Sequence, residues 1–142
     1  MQLPRFHRLR AAYLRLEGQR CVGCGALQFP PRPICRHCSH ADLSAYTMSG
    51  KGTLVSFSEV AQAPHGFTAP YLVALVALDE GPTIDAQLSD VDATDVRIGM
   101  RLEMVTRRIR EMGPEGYLVY AYKFRPVLDD DSSAVGTDAT RP

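Results

Sequence analysis

The chain has 142 residues, 45% of them hydrophobic and 23% charged, with a formal net charge of zero. That composition supports one ordinary core and offers no bulk charge to draw in nucleic acid or an anionic membrane. No stretch reaches the roughly 18 apolar residues that a membrane-spanning helix needs.

The basic N-terminus is followed by neither an apolar segment nor a small-residue cleavage site, so the expected location is cytoplasmic. Residues 4–17, PRFHRLRAAYLRLE, place Phe6, Leu9, Tyr13 and Leu16 at spacings of three and four. That spacing predicts a short amphipathic helix, with Pro4 in its first turn and Gly18 as its stop. Its polar face is basic: Arg5, Arg8, Arg10 and Arg15. The face is either simply solvated or turned toward an anion or a docking partner.

Residues 19–48 form a cysteine module. Cys21-x2-Cys24 and Cys35-x2-Cys38 contain every cysteine in the chain. Pro30, Pro31 and Pro33 exclude a helix between the pairs. Each C-x2-C turn lets two thiolates grip one ion, and two facing turns close a tetrahedron. Gly23 and Gly25 relieve crowding in the first turn. Soft thiolates in a four-sulfur site suit zinc or iron. Zinc is favoured, because nothing else in the chain suggests the flavin or haem partner of an electron carrier. An all-cysteine zinc site is closed and structural, and a module this small needs such a staple. His37 and His40 flank Cys38, but His37 sits inside the turn, where its ring should point away from the ion.

From residue 50 the signals turn to β-structure. GTLVSFSEV alternates, with Leu54, Ser56, Ser58 and Val60 on one side and Val55, Phe57 and Glu59 on the other. YLVALVALD (71–79) is almost continuously apolar, which predicts a strand covered on both faces. Gly81-Pro82 turns the chain into TIDAQL. DVDATDV reads as one short helical turn capped by Asp92 or Thr94. RLEMVTRRI and YLVYAYKF follow as strands around the GPEG turn at 113–116. Three strands, a short helix and two more strands is the element order of a five-stranded OB barrel. The fold class is therefore mainly β: an N-terminal helix (1–18), a metal ribbon (19–48), an OB barrel (49–128) and a tail (129–142) expected to be disordered.

A catalytic set is hard to assemble. No H-E-x-x-H, G-x-S-x-G, P-loop or G-x-G-x-x-G is present, and the metal site uses every thiol. His65 stands in the loop AQAPHGFTAP, a position where OB folds often meet ligand. The acids of 79–95 read as solvated turn chemistry. Charge neutrality conceals a basic front end, since residues 1–40 hold seven arginines against one glutamate. Arg20, Arg32 and Arg36 lie there, and Arg108 belongs to a second basic run, RRIR. Arginine forks recognise phosphate. Phe57, Tyr71, Tyr117, Tyr120, Tyr122 and Phe124 supply the aromatics that a single-stranded nucleic-acid binder would need. Tyr120, Tyr122 and Phe124 share one face of the last strand and are more simply core.

The ordered series QRCVGCGALQFPPRPICRHC, SGKGTLVSFSEV, PYLVALVALDEG, IGMRLEMV and YAYKFRP resembles the DUF35 family of acyl-CoA-associated zinc-ribbon OB-fold proteins, over roughly residues 5–126. The resemblance implies an N-terminal helical segment, a rubredoxin-like zinc ribbon with Cys21, Cys24, Cys35 and Cys38 as ligands, and a C-terminal OB fold. It also implies a non-catalytic subunit that docks on a thiolase-like or ketosynthase-like enzyme and helps form its coenzyme A site. On that reading Arg20, Arg32, Arg36, His65 and Arg108 are the candidates for the coenzyme A phosphates or for the partner. The expected partners are that enzyme and acyl-CoA. A single-stranded nucleic-acid module is the alternative.

Overall fold

The computed structural model describes residues 3–128, so the tail expected to be disordered lies outside the described residues. Its elements are α1 (Leu3–Arg8), α2 (Arg10–Arg15), β1 (Glu17–Cys21), β2 (Leu27–Gln28), β3 (Leu43–Thr47), β4 (Lys51–Val60), β5 (Tyr71–Leu78), β6 (Thr83–Gln87), β7 (Arg101–Glu111) and β8 (Leu118–Pro126). The fold is mainly β, as expected: two short helices, a three-stranded ribbon sheet ordered β2-β1-β3, and a five-stranded sheet ordered β6-β5-β4-β7-β8. A parallel bridge from Leu88 to Phe124 curls the second sheet into a nearly closed OB barrel, and Ser89 N–H reinforces it by donating to Phe124 O at 2.8 Å. Among the described residues, no helix is long and apolar enough to cross a membrane.

The single helix expected over 4–17 is instead two helices of six residues, joined at Leu9. Helices this short are not stable alone. Packing holds them: α2 lies against β8 and β1, and the Phe6 and Tyr13 rings sit 5.8 Å apart. The helix stops at Leu16, not at Gly18, with Leu16 in the left-handed region at φ 53°. Burial decides this. Leu16 is fully buried, worth about 1.5–3 kcal/mol, against about 1–2 kcal/mol for the left-handed backbone. Gly18 serves a different purpose in β1. A Cβ there would lie 2.4 Å from Gln28 O and 2.8 Å from Met48 Cε, so only glycine lets the strand approach this closely.

In the barrel, two bulges alter the expected faces. The β4–β5 register shifts between Leu54 and Ser56, leaving Val55 46% exposed, and the β7–β8 register shifts between Arg108 and Arg110. The expectation that residues 71–79 are covered on both faces is wrong. Strand β5 buries Leu72, Ala74, Val76 and Leu78, while Leu75 on the other face is 44% exposed. No second layer covers that face among the described residues. The helix expected near Asp92 is a single turn, closed by Asp95 N–H donating to Asp92 O at 3.0 Å. The aromatics of β8 grade from core to surface: Phe124 is fully buried, Tyr122 half-buried and Tyr120 exposed. One continuous core results. Leu16 and Met48, from before the barrel, pack with Leu54, Val76, Leu102 and Phe124 inside it.

Candidate functional site

The two cysteine turns have the same local design. Gly25 N–H donates to Cys21 O at 2.9 Å, and Ser39 N–H donates to Cys35 O at 3.0 Å. Each turn ends on a left-handed residue, Gly25 at φ 73° and Ser39 at φ 61°. The four sulfurs of Cys21, Cys24, Cys35 and Cys38 lie within 4.8 Å of one another. Cys21 and Cys38 sulfurs are 3.5 Å apart, and Cys24 and Cys35 sulfurs 3.7 Å. A tetrahedral ion with sulfur bonds of about 2.3 Å has edges of about 3.8 Å, so the thiols stand where such an ion needs them. Disulfides, at about 2 Å, are excluded by the same distances.

Charge points the same way. Backbone N–H groups of Cys38 and His37 hold the Cys35 thiol down to about 6. The His40 N–H favours ionisation of Cys38, but the Cys24 and Cys21 sulfurs outweigh it and push Cys38 up to about 12. Sulfurs this close cannot all ionise unless a cation sits among them. His37 and His40 are exposed and neither joins the cluster. His40 instead faces Gly23, where a Cβ would meet its ring at 3.3 Å.

A pair of glutamines builds outward from the metal site. Gln19 and Gln28 face each other across β1 and β2. Gln28 is only 6% exposed. Its Nε2 donates to Gln19 Oε1 at 3.0 Å and to Ile34 O at 3.3 Å, and its Oε1 accepts from Arg36 N–H at 3.1 Å. Gln19 Oε1 also accepts from Arg32 N–H at 2.8 Å. The segment 29–36 is thus hung on two amide side chains, which fixes the backbone of both Arg32 and Arg36.

Arg32 and Arg36 open into a groove of about 520 Å³ where ribbon, helices and barrel meet. Arg5 enters from α1, Leu9 and Phe29 form apolar wall, and Asp85 and Tyr122 come from β6 and β8. Tyr122 stacks edge-on against Phe29, with centroids 5.7 Å apart. Burial, then the nearby Asp85, pushes its hydroxyl up to about 12, so it stays a neutral donor and reaches Asp85 O at 3.4 Å. The remaining candidates lie elsewhere. Arg20 is exposed on β1 and lines no part of this groove. Arg108 lines a separate cleft of about 310 Å³ beneath the β4–β5 loop. His65 is on the rim of a neighbouring hollow, with Glu111 and Pro114. A shallower depression connects groove and cleft along the open seam of the barrel, sharing Tyr13, Asp85 and Tyr122 with one and Tyr71 and Gln87 with the other.

Known proteins combine the same two parts. Residues 10–44 match the family model described as "ChsH2, rubredoxin-like zinc ribbon domain", and residues 45–107 match "ChsH2, C-terminal OB-fold domain". A "DUF35 domain-containing scaffold protein" of Pyrococcus furiosus is 42% identical over 133 residues, covering 92% of this chain and 97% of the relative. The chain belongs to the DUF35 family. A further relative, "Benzoylsuccinyl-CoA thiolase subunit BbsA" of Thauera aromatica, is 31% identical, covering 83% of this chain and 79% of that one. The solved "Ltp2-ChsH2(DUF35) aldolase" superposes with a TM-score of 0.68 at 30% identity, over 89% of this chain and 94% of that one.

Sequence reasoning missed Gln19 and Gln28, which resemble filler until their strands are paired. It counted Arg5 only as part of a basic face and Asp85 only among the solvated turn acids of 79–95, and it passed over Lys123. No local spacing flags these residues, because the groove and cleft draw on distant segments.

Proposed function

We propose that this protein is a non-catalytic subunit of a thiolase-type acyl-CoA enzyme complex, docking on the enzyme and helping to form the site for coenzyme A or acyl-CoA in C–C bond cleavage or formation. The groove of Arg5, Arg32 and Arg36 carries the reading. Coenzyme A presents a 3′-phosphate and a diphosphate, and guanidinium forks meet such oxyanions two bonds at a time. Leu9, Phe29 and Tyr122 give its uncharged parts an apolar wall. One structural zinc in the four-cysteine site holds the ribbon from which two of these arginines project. The names of the relatives, a scaffold protein, a thiolase subunit and an aldolase component, support the same role. The partner is a thiolase-like or ketosynthase-like enzyme.

The test is co-expression with a thiolase-like enzyme from the same organism. The complex should co-purify, and the enzyme should lose most of its turnover when this chain is withheld. Arg32→Glu together with Arg36→Glu should leave zinc and assembly intact while raising the KM for the acyl-CoA. Full turnover by the enzyme alone would end the proposal.

A further inference from the structure

The cleft beneath the β4–β5 loop shares no lining residue with the arginine groove, although the depression along the barrel seam joins the two. Arg108 and Arg110 enter from the bulged end of β7 and Lys123 from β8, against one carboxylate, Glu111. Glu111 reaches Arg108 at 3.5 Å with both side chains about half exposed. Arg107, just outside, is already paired with Asp90 at 3.1 Å. Three cations against one carboxylate leave two positive charges unmatched. The Arg110 Nε is buried with no hydrogen-bond partner among the described residues, a costly arrangement unless a ligand completes it. Burial, then repulsion from Arg108, holds the Lys123 ammonium below its ordinary range.

The walls are fixed before any ligand arrives. Glu111 N–H donates to Gly66 O at 3.0 Å, clamping the loop to β7. Gly66 sits at φ 88°, and a Cβ there would be 2.5 Å from Glu111 O, so the clamp requires glycine. The clamp sets Phe67 beneath the Arg110 guanidinium, 5.7 Å from the ring centroid. Phe67 in turn stacks on Tyr71 with centroids 6.0 Å apart at 26°. The cleft therefore combines a cationic floor with an aromatic wall.

We propose that this cleft is a second anion site, taking a phosphorylated ligand with a planar ring, of the nucleoside diphosphate class. Diphosphate oxygens meet Arg108, Arg110 and Lys123, and the ring lies against Phe67 and Tyr71. The site stands apart from the thiolase reading and needs no partner enzyme. The nucleotide half of coenzyme A shares this chemistry, so the experiment uses both ADP and coenzyme A.

The experiment is two-dimensional amide NMR of the full zinc-loaded chain, titrated with each. ADP should produce saturable shifts at Gly66, Phe67, Thr68 and Lys123. Lys123→Met and Arg110→Lys should each weaken it about tenfold, the loss of one hydrogen bond to a charged group. Coenzyme A shifts confined to the Arg32 and Arg36 segment would leave both sites standing as separate. Coenzyme A shifts confined to the loop would move its nucleotide end here, supporting this site and removing the arginine groove from the proposed function. If ADP leaves the loop amides in place, shifts them without saturation, or binds Lys123→Met as well as the parent, the proposal is overturned and the arginine groove is untouched.

Discussion

Replacing Gln28 by alanine tests whether two amide side chains hold the arginine-bearing segment in place. The substitution removes three hydrogen bonds, at 3.0, 3.3 and 3.1 Å, from a side chain only 6% exposed. Each such bond contributes about 0.5–1.5 kcal/mol net. Arg36 and Ile34 are exposed, so water takes over part of what they lose, and the expected cost is about 2 kcal/mol. For a chain of this size each kcal/mol lowers the melting temperature by about 4 °C. Calorimetry of the zinc-loaded protein should therefore find a drop of about 8 °C. Zinc stoichiometry should hold, since no cysteine is touched, but a chelator should strip the metal faster. Gln28→Glu should be no better. Its carboxylate faces Gln19 Oε1, and if Gln19 turns over to donate, the Arg32 N–H loses its acceptor. A melting temperature within about 2 °C of the parent for Gln28→Ala, a quarter of the expected drop, would refute the reasoning.

Three further outcomes are expected. Cys24→Ser should abolish stoichiometric zinc, read by metal analysis, and unfold the ribbon; a variant keeping full metal and full complex activity would remove the structural role. Leu16→Ala should cost about 3 kcal/mol for an emptied core site, with ribbon and barrel melting in one transition by circular dichroism. Arg101 donates to both carboxylate oxygens of Asp79 at 2.8 and 2.7 Å, and that pairing holds Asp79 below the usual carboxylate range. A folded value below the unfolded one adds stability above about pH 4 and loses it as the pH falls through the folded value. Asp79→Asn should thus be slightly less stable than the parent at pH 7, less so in high salt because the pair is exposed, and the difference should vanish in acid titrations of stability.

The cysteine spacing was readable because a C-x2-C turn is local: four residues fix two ligands. The strands were readable because an apolar run such as YLVALVALD lies within one segment, but its single inward face of Leu72, Ala74 and Val76 was not, because the run carries no polar residue to mark the other face. The bulges were not, because an extra residue such as Val55 is defined only against β5, its partner strand. Leu16 defeated the helix-stop rule through burial, which backbone preference alone does not contain. The groove was out of reach because Arg5, Arg32 and Asp85 converge only once ribbon and barrel have docked. The cleft behind Arg108 depends on a glycine clamp between loop and strand that no spacing records.

Leu16 and Met48 lie before the barrel and yet belong to its core. The boundary between ribbon and barrel is therefore a seam in the sequence but not in the packing. A ribbon transplanted from a relative would have to bring residues of matching shape at both positions, or leave a hole in its host. A crossover after residue 48 separates those two side chains from Leu54 and Leu102 of the same core, so recombination inside this family should be tolerated there only where the two parents carry matching side chains at all four positions.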